Sequence, residues 1–253
     1  MWLEILKDAR QHLAAGHYYT FDDFYKKGNI DNLINFVKYT TSSLDTDKKI
    51  KKELILPQVR RKLTRDIIEN STAHYILKLD SPYVITTNYD KSLENINAEF
   101  SLNYDESKNL KSFSGFEDLD KYKFIFHIHG DVNDLDSMIV TTEDYETMYK
   151  NENSQRVLTG LIMRKSLLFM GFSLNDEYFS NEFSDICAAN KDYAKNYMIC
   201  LENGSTNKLI ENINYITMQT SSINKDQYDS AEQYRYLLNY VKGQIFIKSK
   251  GIR

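Results

Sequence analysis

Three segments of the chain have the same form, an apolar run that ends in small or polar residues. They are residues 83–90, 123–131 and 166–175. About 40 residues separate one polar end from the next, which is enough for a crossover containing a helix before the chain returns to the same sheet. Because the carboxyl ends of parallel strands lie along one edge of a sheet, this spacing predicts a parallel sheet whose three polar ends contribute to one site.

The apolar pattern around these segments predicts the rest of the architecture. Residues 2–15 and 21–80 carry apolar side chains at helical spacing, so both stretches are predicted to be helical. From residue 83 onward, strands alternate with helices. The predicted strands cover residues 83–87, 123–128, 167–172, 197–201 and 214–218. The expected fold is therefore α/β, with a Rossmann-like, mostly parallel sheet and an inserted helical lobe at residues 21–80.

Length and charge limit the organisation and the partners of the chain. A chain of 253 residues with 42% hydrophobic content can bury one large core. We therefore expect residues 1–253 to form a single domain that includes the lobe. The formal charge of −4 gives no global attraction for nucleic acid. The basic run at residues 48–52 is interpreted as a solvated helix face, so no direct binding of nucleic acid is expected.

Cysteine content and hydropathy indicate the compartment. Cys187 and Cys200 are the only cysteines, too few for a four-thiolate zinc site and poorly suited to a disulfide framework. The N-terminus has no basic start followed by an apolar core, which a secretory signal would show. No apolar run approaches the ~20 residues that cross a bilayer. We expect a cytoplasmic protein without membrane contact.

Three motifs, in their order along the chain, resemble those of a known family. They are T-T-N-Y-D at residues 86–90, H-G at residues 129–130 and G-F-S-L at residues 171–174. Their order and spacing resemble the sirtuin-like family, specifically its bacterial NAD-consuming branch, which is associated with antiviral defence. The resemblance covers residues 80–180. It implies an NAD+ glycohydrolase that releases nicotinamide and ADP-ribose as an anti-phage effector, with NAD+ as substrate and no metal ion.

The resemblance also implies roles for two candidate catalytic residues. Asn88 would orient the ribose and the attacking water, and His129 would accept a proton from a ribose hydroxyl or from the water. A general base of this kind typically contributes ~10² to 10⁴ in rate. Each residue also has a structural interpretation, because an Asn that follows a strand is often a turn residue and a histidine in a strand is often buried and hydrogen-bonded.

Five more residues are candidates for cofactor binding. They are Thr87, Asp90, Gly171, Phe172 and Ser173. By the resemblance, Asp90 would fix the loop or hydrogen-bond the nicotinamide side. Gly171 would let the backbone approach the adenosine ribose, and Ser173 would supply a hydroxyl group. The alternatives are an Asx turn at Asp90 and a tight strand-to-helix connection at Gly171 and Ser173.

The sequence departs from the family near its N-terminus. The family opens with a strand and a Gly-Ala-Gly-x-Ser turn, whose backbone N–H groups bind the pyrophosphate of the cofactor. This sequence contains no such turn, and its earliest glycines are Gly16 and Gly28. Residues 1–3 resemble the helix that follows the turn. We therefore expect the strand and loop to be missing through a late start codon, a shortened chain or degeneration.

The sequence is also compatible with other functions. One is a degenerate module that binds a nucleotide or a protein without catalysis. Another is an NAD-dependent protein deacylase, which the resemblance disfavours because the zinc ribbon of that branch needs four cysteines. An oxidoreductase of Rossmann type is disfavoured because the sequence has no G-x-G-x-x-G. By the resemblance, self-association into a homo-oligomer or a separately encoded defence partner would regulate the activity.

A metal site at the second motif is a further alternative. His127 and His129 lie two residues apart, so on one strand their side chains would share a face. Two imidazoles at that spacing suit a transition metal, but no third ligand is evident in the sequence. We therefore expect no metal ion.

Overall fold

The computed structural model describes residues 6–40, 51–52, 65–69, 71–105, 107–113, 122–172, 177–189, 195–201 and 213–218. Contacts between residues divide the chain into two compact units. The first unit contains Met1–Glu146 and Ser230–Arg253, and the second contains Thr147–Asp229.

The first unit begins with helices. Their bounds are α1 (Tyr18–Lys27), α2 (Ile30–Thr40), α3 (Arg65–Glu69), α4 (Thr72–Leu77) and α5 (Ser92–Phe100). Short 3-10 helices cover Asp8–His12, Ala15–His17 and Leu135–Ser137. Helix α6 (Thr142–Tyr149) includes the boundary between the units. Glycine ends α1, because Gly28 takes the left-handed conformation with φ of 66° that a helix C-terminus favours.

The sheet of the first unit positions the first two motifs. Its strands are β1 (Tyr83–Thr86), β2 (Lys108–Asn109) and β3 (Phe124–His127), all parallel, in the order β1-β3-β2. Every residue of the central strand β3 is buried, as expected for an apolar run covered on both faces. Thr86 pairs with His127, so β1 and β3 end side by side.

Two hydrophobic clusters belong to the core of the first unit. One joins α1 and α2 to Tyr89, which belongs to the first motif, and to Val132, which lies just after the second. The other joins α3, α4 and α5 to Ile125 of β3. Burial of apolar area at ~25 cal/mol per Å² stabilises both clusters. The N-terminal helices therefore pack directly behind the loops at the sheet edge.

The second unit has its own parallel sheet. Its elements are α7 (Glu152–Arg164), β4 (Leu168–Phe169), α8 (Glu177–Ala189), β5 (Asn196–Leu201) and β6 (Ile213–Met218), and the strand order is β4-β5-β6. The side-chain carbonyl of Asn196 accepts a 2.9 Å hydrogen bond from the Leu167 N–H and fixes the start of β4. Rings from β4 and α8 pack together, with Phe169 5.2 Å from Phe183.

The predicted α/β, Rossmann-like fold is confirmed, and the five predicted strands lie within a few residues of the observed ones. The described strands form two three-stranded parallel sheets, where the sequence analysis predicted one. The single domain over residues 1–253 stays a prediction, as does the lobe, of which residues 21–40, 51–52, 65–69 and 71–80 are described. The helix predicted for residues 2–15 is confirmed only in part. Residues 6–7 are α-helical and a 3-10 helix continues over Asp8–His12, but the helix ends there, because Leu13 is extended and buried in the core.

Residues 48–52 were predicted to form a solvated helix face, and this prediction was wrong for Lys51. Lys51 is only 6% exposed, and its ammonium lies 3.1 Å from Asp144 Oδ2. Asp144 also accepts hydrogen bonds from the N–H groups of Val140 and Thr141, at the start of α6. A buried cation needs such a partner. Lys51 is therefore a structural cation rather than part of a binding surface.

Among the residues that the structure describes, no helix combines the length and the hydropathy needed to cross a membrane.

Candidate active site

Asn88 lies in the loop that leaves β1. Its N–H donates a 3.1 Å hydrogen bond to the hydroxyl of Thr86, the last residue of the strand. The residue is exposed, and within the described ranges no hydrogen bond engages its side-chain amide. The carboxamide is therefore available to a substrate.

Asp90 lies two residues before the next helix. Its Oδ1 accepts a 2.8 Å hydrogen bond from the Ser92 N–H, the first residue of α5, which is the geometry of an Asx turn. Asp90 and Thr87 are both half-buried. The structure therefore gives Asp90 a local role in the loop, and the cofactor contacts of Thr87 and Asp90 stay predictions.

His129 and Gly130 form a turn immediately after β3. The strand ends at His127, so His129 lies outside it. The prediction that His127 and His129 share a strand face was therefore wrong. The His129 ring is 4% exposed and packs edge-on against Tyr145 at 5.4 Å between ring centroids. Gly130 has φ of 80° and donates a 3.1 Å hydrogen bond to the His127 carbonyl. Only glycine takes this conformation without strain.

Hydrogen bonds tie the Asn88 loop to the His129 turn. The Val132 N–H donates to the Tyr89 carbonyl at 3.0 Å. The Tyr89 hydroxyl donates to the Ile139 carbonyl at 2.5 Å, and the Ile139 N–H donates to the His129 carbonyl at 2.9 Å. Asn88 and His129 therefore belong to one hydrogen-bonded assembly at the ends of adjacent strands.

Replacing Tyr89 by phenylalanine is expected to lower the free energy of unfolding by about 1 to 2 kcal/mol, because it leaves the Ile139 carbonyl without its hydroxyl donor. Tyr19→Phe is the matched control, since Tyr19 is 85% exposed, and it should change nothing measurable. Urea unfolding of the two variants tests the prediction. Equal stability of both would show that the Tyr89 hydroxyl contributes nothing.

His127 is the residue that the sequence analysis undervalued. It is 0% exposed. Its Nδ1 lies 2.7 Å from the Asn88 carbonyl oxygen, and its Nε2 lies 2.8 Å from Glu94 Oε1. The available signal was a polar residue at the end of an otherwise apolar strand, together with an acidic residue in the first turn of α5. The sequence alone could not show that these two meet.

Glu94 is ionised in this network. Burial alone would raise its pKa, but the hydrogen bond from His127 and the positive charges of His127 and Lys91 outweigh burial and lower the pKa of Glu94 to about 2. Lys91 Nζ lies 3.1 Å from Glu94 Oε1, 3.3 Å from Asp131 Oδ1 and 2.8 Å from the Ser107 hydroxyl. Within the described part of the chain, Glu94 Oε2 is buried without a hydrogen-bond partner.

The residues that the structure describes contain no group of three His, Cys, Asp or Glu side chains placed to bind a metal ion. Both ring nitrogens of His127 are engaged by Asn88 and Glu94, so this imidazole has no lone pair left for a metal ion.

The third motif lies in the second unit. Gly171 is exposed with φ of 64°, and no described atom lies within 4 Å of the place that a Cβ would occupy. The Phe172 ring packs 5.9 Å from Phe169 and 5.3 Å from Phe179. Ser173 lies outside the described residues. The open space at Gly171 suits close approach of a ligand, and the ribose contacts of this motif stay predictions.

Comparison with known proteins places the chain in a family. It is 30% identical over 136 residues to NAD(+) hydrolase ThsA of Enterococcus faecium, covering 52% of this chain and 28% of the relative. It is 25% identical over 172 residues to NAD(+) hydrolase ThsA of Bacillus cereus (strain MSX-D12), covering 67% of this chain and 35% of the relative.

The chain thus spans about a third of the length of these two curated relatives. The family model described as a SIR2-like domain matches residues 82–237, which is more than half of the chain and includes all three motifs. The chain belongs to the SIR2-like domain family.

Proposed function

We propose that this chain hydrolyses NAD+ to nicotinamide and ADP-ribose. The observation that carries the proposal is the exposed carboxamide of Asn88, tied through Tyr89 and Ile139 to the turn that holds His129. The name of the two relatives, NAD(+) hydrolase, supports the same reaction. Strand ends of a parallel sheet are also where α/β proteins bind their ligands.

The reaction makes limited demands on the protein. The bond between the nicotinamide nitrogen and ribose C1′ breaks, and its electron pair stays on the nitrogen, which becomes neutral. Positive charge moves to the ribose in an oxocarbenium-like transition state, as in other glycoside cleavages. A water oxygen then bonds to C1′ and loses a proton. The protein has to position the ribose and the water and to accept that proton.

Asn88 is suited to positioning. Its carboxamide offers both a donor and an acceptor, so it orients a ribose hydroxyl with one group and the attacking water with the other. The loop is fixed by the hydrogen bonds of Asn88 with Thr86 and His127. Less conformational entropy is therefore lost when the substrate and water are oriented for reaction.

His129 is suited to proton transfer. A neutral imidazole accepts a proton at one ring nitrogen, and packing against Tyr145 holds the His129 ring in one orientation. The proposal takes Thr87 and Asp90 as cofactor-binding residues of the same loop and Gly171, Phe172 and Ser173 as the ribose-binding group. It also takes the chain as a cytoplasmic effector of anti-phage defence, regulated by self-association or by a separate partner.

Substitution of the two catalytic candidates is the test. Asn88→Ala is expected to reduce nicotinamide release from NAD+ by at least about 100-fold, because the ribose and water lose their orientation. His129→Gln, which keeps more of the buried volume than alanine, should reduce release by ~10² to 10⁴. Release is measured by chromatography at equal concentrations of folded protein.

Matched controls separate catalysis from folding. Asn95→Ala removes an exposed carboxamide on α5, and His74→Gln replaces a histidine that is 3% exposed. Both should keep the wild-type rate per folded molecule. Wild-type release that survives Asn88→Ala would contradict the role of Asn88, and full activity of His129→Gln would remove His129 as the base.

One observation favours a second function, a nucleotide-binding module without turnover. The His129 side chain is buried at 4% exposure, and a general base has to reach the proton that it accepts. Titration calorimetry with NAD+ distinguishes the two functions. Heat of binding without nicotinamide release supports the module, and release with a 1:1 yield of ADP-ribose supports the hydrolase.

A further inference from the structure

The imidazole of His127 lies between two hydrogen-bond acceptors. Nδ1 faces the backbone carbonyl of Asn88 at 2.7 Å, and Nε2 faces the Glu94 carboxylate at 2.8 Å. Neither a carbonyl nor an ionised carboxylate can donate. A neutral imidazole donates from one nitrogen only and would turn a lone pair toward the other acceptor. Full burial of His127 leaves no room for water to relieve that repulsion.

The ring therefore satisfies both neighbours only when both of its nitrogens carry hydrogen. The charges nearby balance this imidazolium. Glu94 and Asp131 contribute two negative charges, and Lys91, which contacts both carboxylates, contributes the second positive charge. A buried network of this kind is stable when each charge has a partner.

The two hydrogen-bond partners of His127 lie in different parts of the structure. Glu94 belongs to α5 and His127 to the central strand β3, both parts of the packed framework. The Asn88 carbonyl belongs to the loop that leaves β1, in which Asn88 itself is exposed. His127 and Glu94 thus connect the packed helix and strand to the backbone of Asn88, whose side chain we assign to the substrate. A charged donor makes this bond stronger than a neutral one.

We propose that His127, oriented by Glu94, is a positioning residue that fixes the Asn88 carboxamide through the Asn88 backbone carbonyl. This inference rests on the proposed function of Asn88. His127 touches no reacting atom. It acts by restricting the loop at residues 87–90, so that the carboxamide keeps the orientation that the ribose and water require.

Two amide substitutions separate the two ring nitrogens. The side-chain nitrogen of asparagine can occupy the place of Nδ1, so His127→Asn keeps a donor toward the Asn88 carbonyl and loses the contact with Glu94. The side-chain nitrogen of glutamine can occupy the place of Nε2, so His127→Gln keeps the contact with Glu94 and loses the donor to Asn88. Both variants remove the same charge, which makes each the control for the other.

If His127 positions Asn88, His127→Asn and His127→Gln should differ in activity. We expect kcat for nicotinamide release to be at least tenfold lower in His127→Gln than in His127→Asn, with KM for NAD+ within about threefold, since a misplaced loop affects orientation more than uniform binding. Hydrogen exchange at residues 87–91, followed by mass spectrometry, should be faster in His127→Gln. His74→Asn and His74→Gln, at a buried histidine that packs on Phe100, should have equal kcat per folded molecule.

Equal kcat in His127→Asn and His127→Gln, measured at equal folded fractions, would overturn the positioning role and leave the hydrolase proposal standing. Absence of nicotinamide release from the wild type would overturn the hydrolase proposal instead. In that case hydrogen exchange alone tests whether His127 restricts the loop. Faster exchange at residues 87–91 in His127→Gln than in His127→Asn supports it, and equal exchange overturns it.

Discussion

Replacing Gly130 by alanine is expected to lower the free energy of unfolding by more than about 3 kcal/mol, because both the local backbone and the space around it exclude a side chain. Gly130 has φ of 80°. A Cβ there would lie 2.1 Å from the Ser137 carbonyl oxygen and 2.3 Å from its carbonyl carbon. Backbone at such distances has to move.

Ser137 is poorly able to move. Its hydroxyl accepts a 3.2 Å hydrogen bond from the Asp131 N–H and donates a 2.6 Å hydrogen bond to the Asp134 carbonyl. Displacing it would break bonds that shape the turn after His129. We therefore expect Gly130→Ala to release no nicotinamide from NAD+ even in the fraction that folds.

Two other glycines serve as graded controls for Gly130→Ala. Gly28 has φ of 66° with open space around it, so Gly28→Ala isolates backbone strain and should cost about 1 kcal/mol. Gly16 has neither a positive φ nor a near neighbour, so Gly16→Ala should be neutral or stabilise by about 0.5 kcal/mol. Urea unfolding orders the three variants. A Gly130→Ala chain no less stable than Gly28→Ala would contradict the steric argument.

Acid is expected to weaken the first unit through Glu94. The pKa of its carboxyl is lowered to about 2 in the folded chain from its ordinary 4.5, so the folded state favours the ionised form. The resulting stability is complete above pH 4.5 and is lost as the pH falls from 4.5 to 2. The shift corresponds to at most about 3 kcal/mol, and we expect about 2 kcal/mol because the side chain is 22% exposed.

The Glu94→Gln variant tests this assignment. It should flatten the decline in the free energy of unfolding between pH 4.5 and 2. At pH 7 it should be about 3 kcal/mol less stable than the wild type, since it leaves the buried His127 without its carboxylate. Glu99→Gln, on the same helix with an exposed salt bridge to Arg65, is the matched control. Equal slopes in Glu94→Gln and the wild type would show that another group causes the acid sensitivity.

Strands with a strong local signal were predictable from the sequence. The apolar, β-branched and aromatic run at Tyr83–Thr86 and the run at Phe124–His127 were each predicted to within two residues. Strand β2 was missed. It consists of Lys108 and Asn109 only, so it has no alternating pattern and exists because β3 offers it a partner along its second edge.

The candidate site was predictable as a set of strand ends but not as a network. The loop after β1 and the turn after β3 follow from polar residues at the ends of apolar runs. The contact between His127 and Glu94 does not, because it depends on how α5 packs against β3, and many acidic residues in a first helical turn simply face water. At Asp90 the sequence does not distinguish an Asx turn from a cofactor contact, because a carboxylate suits both roles.

The most direct test of NAD+ hydrolysis through Asn88 is the yield of nicotinamide and ADP-ribose from NAD+ incubated with the purified chain, beside Asn88→Ala and Asn95→Ala. We predict equal molar amounts of both products from the wild type and from Asn95→Ala, and at least about 100-fold less from Asn88→Ala. A folded wild-type chain that binds NAD+ and releases no nicotinamide, or release that Asn88→Ala leaves unchanged, would contradict the proposed hydrolysis.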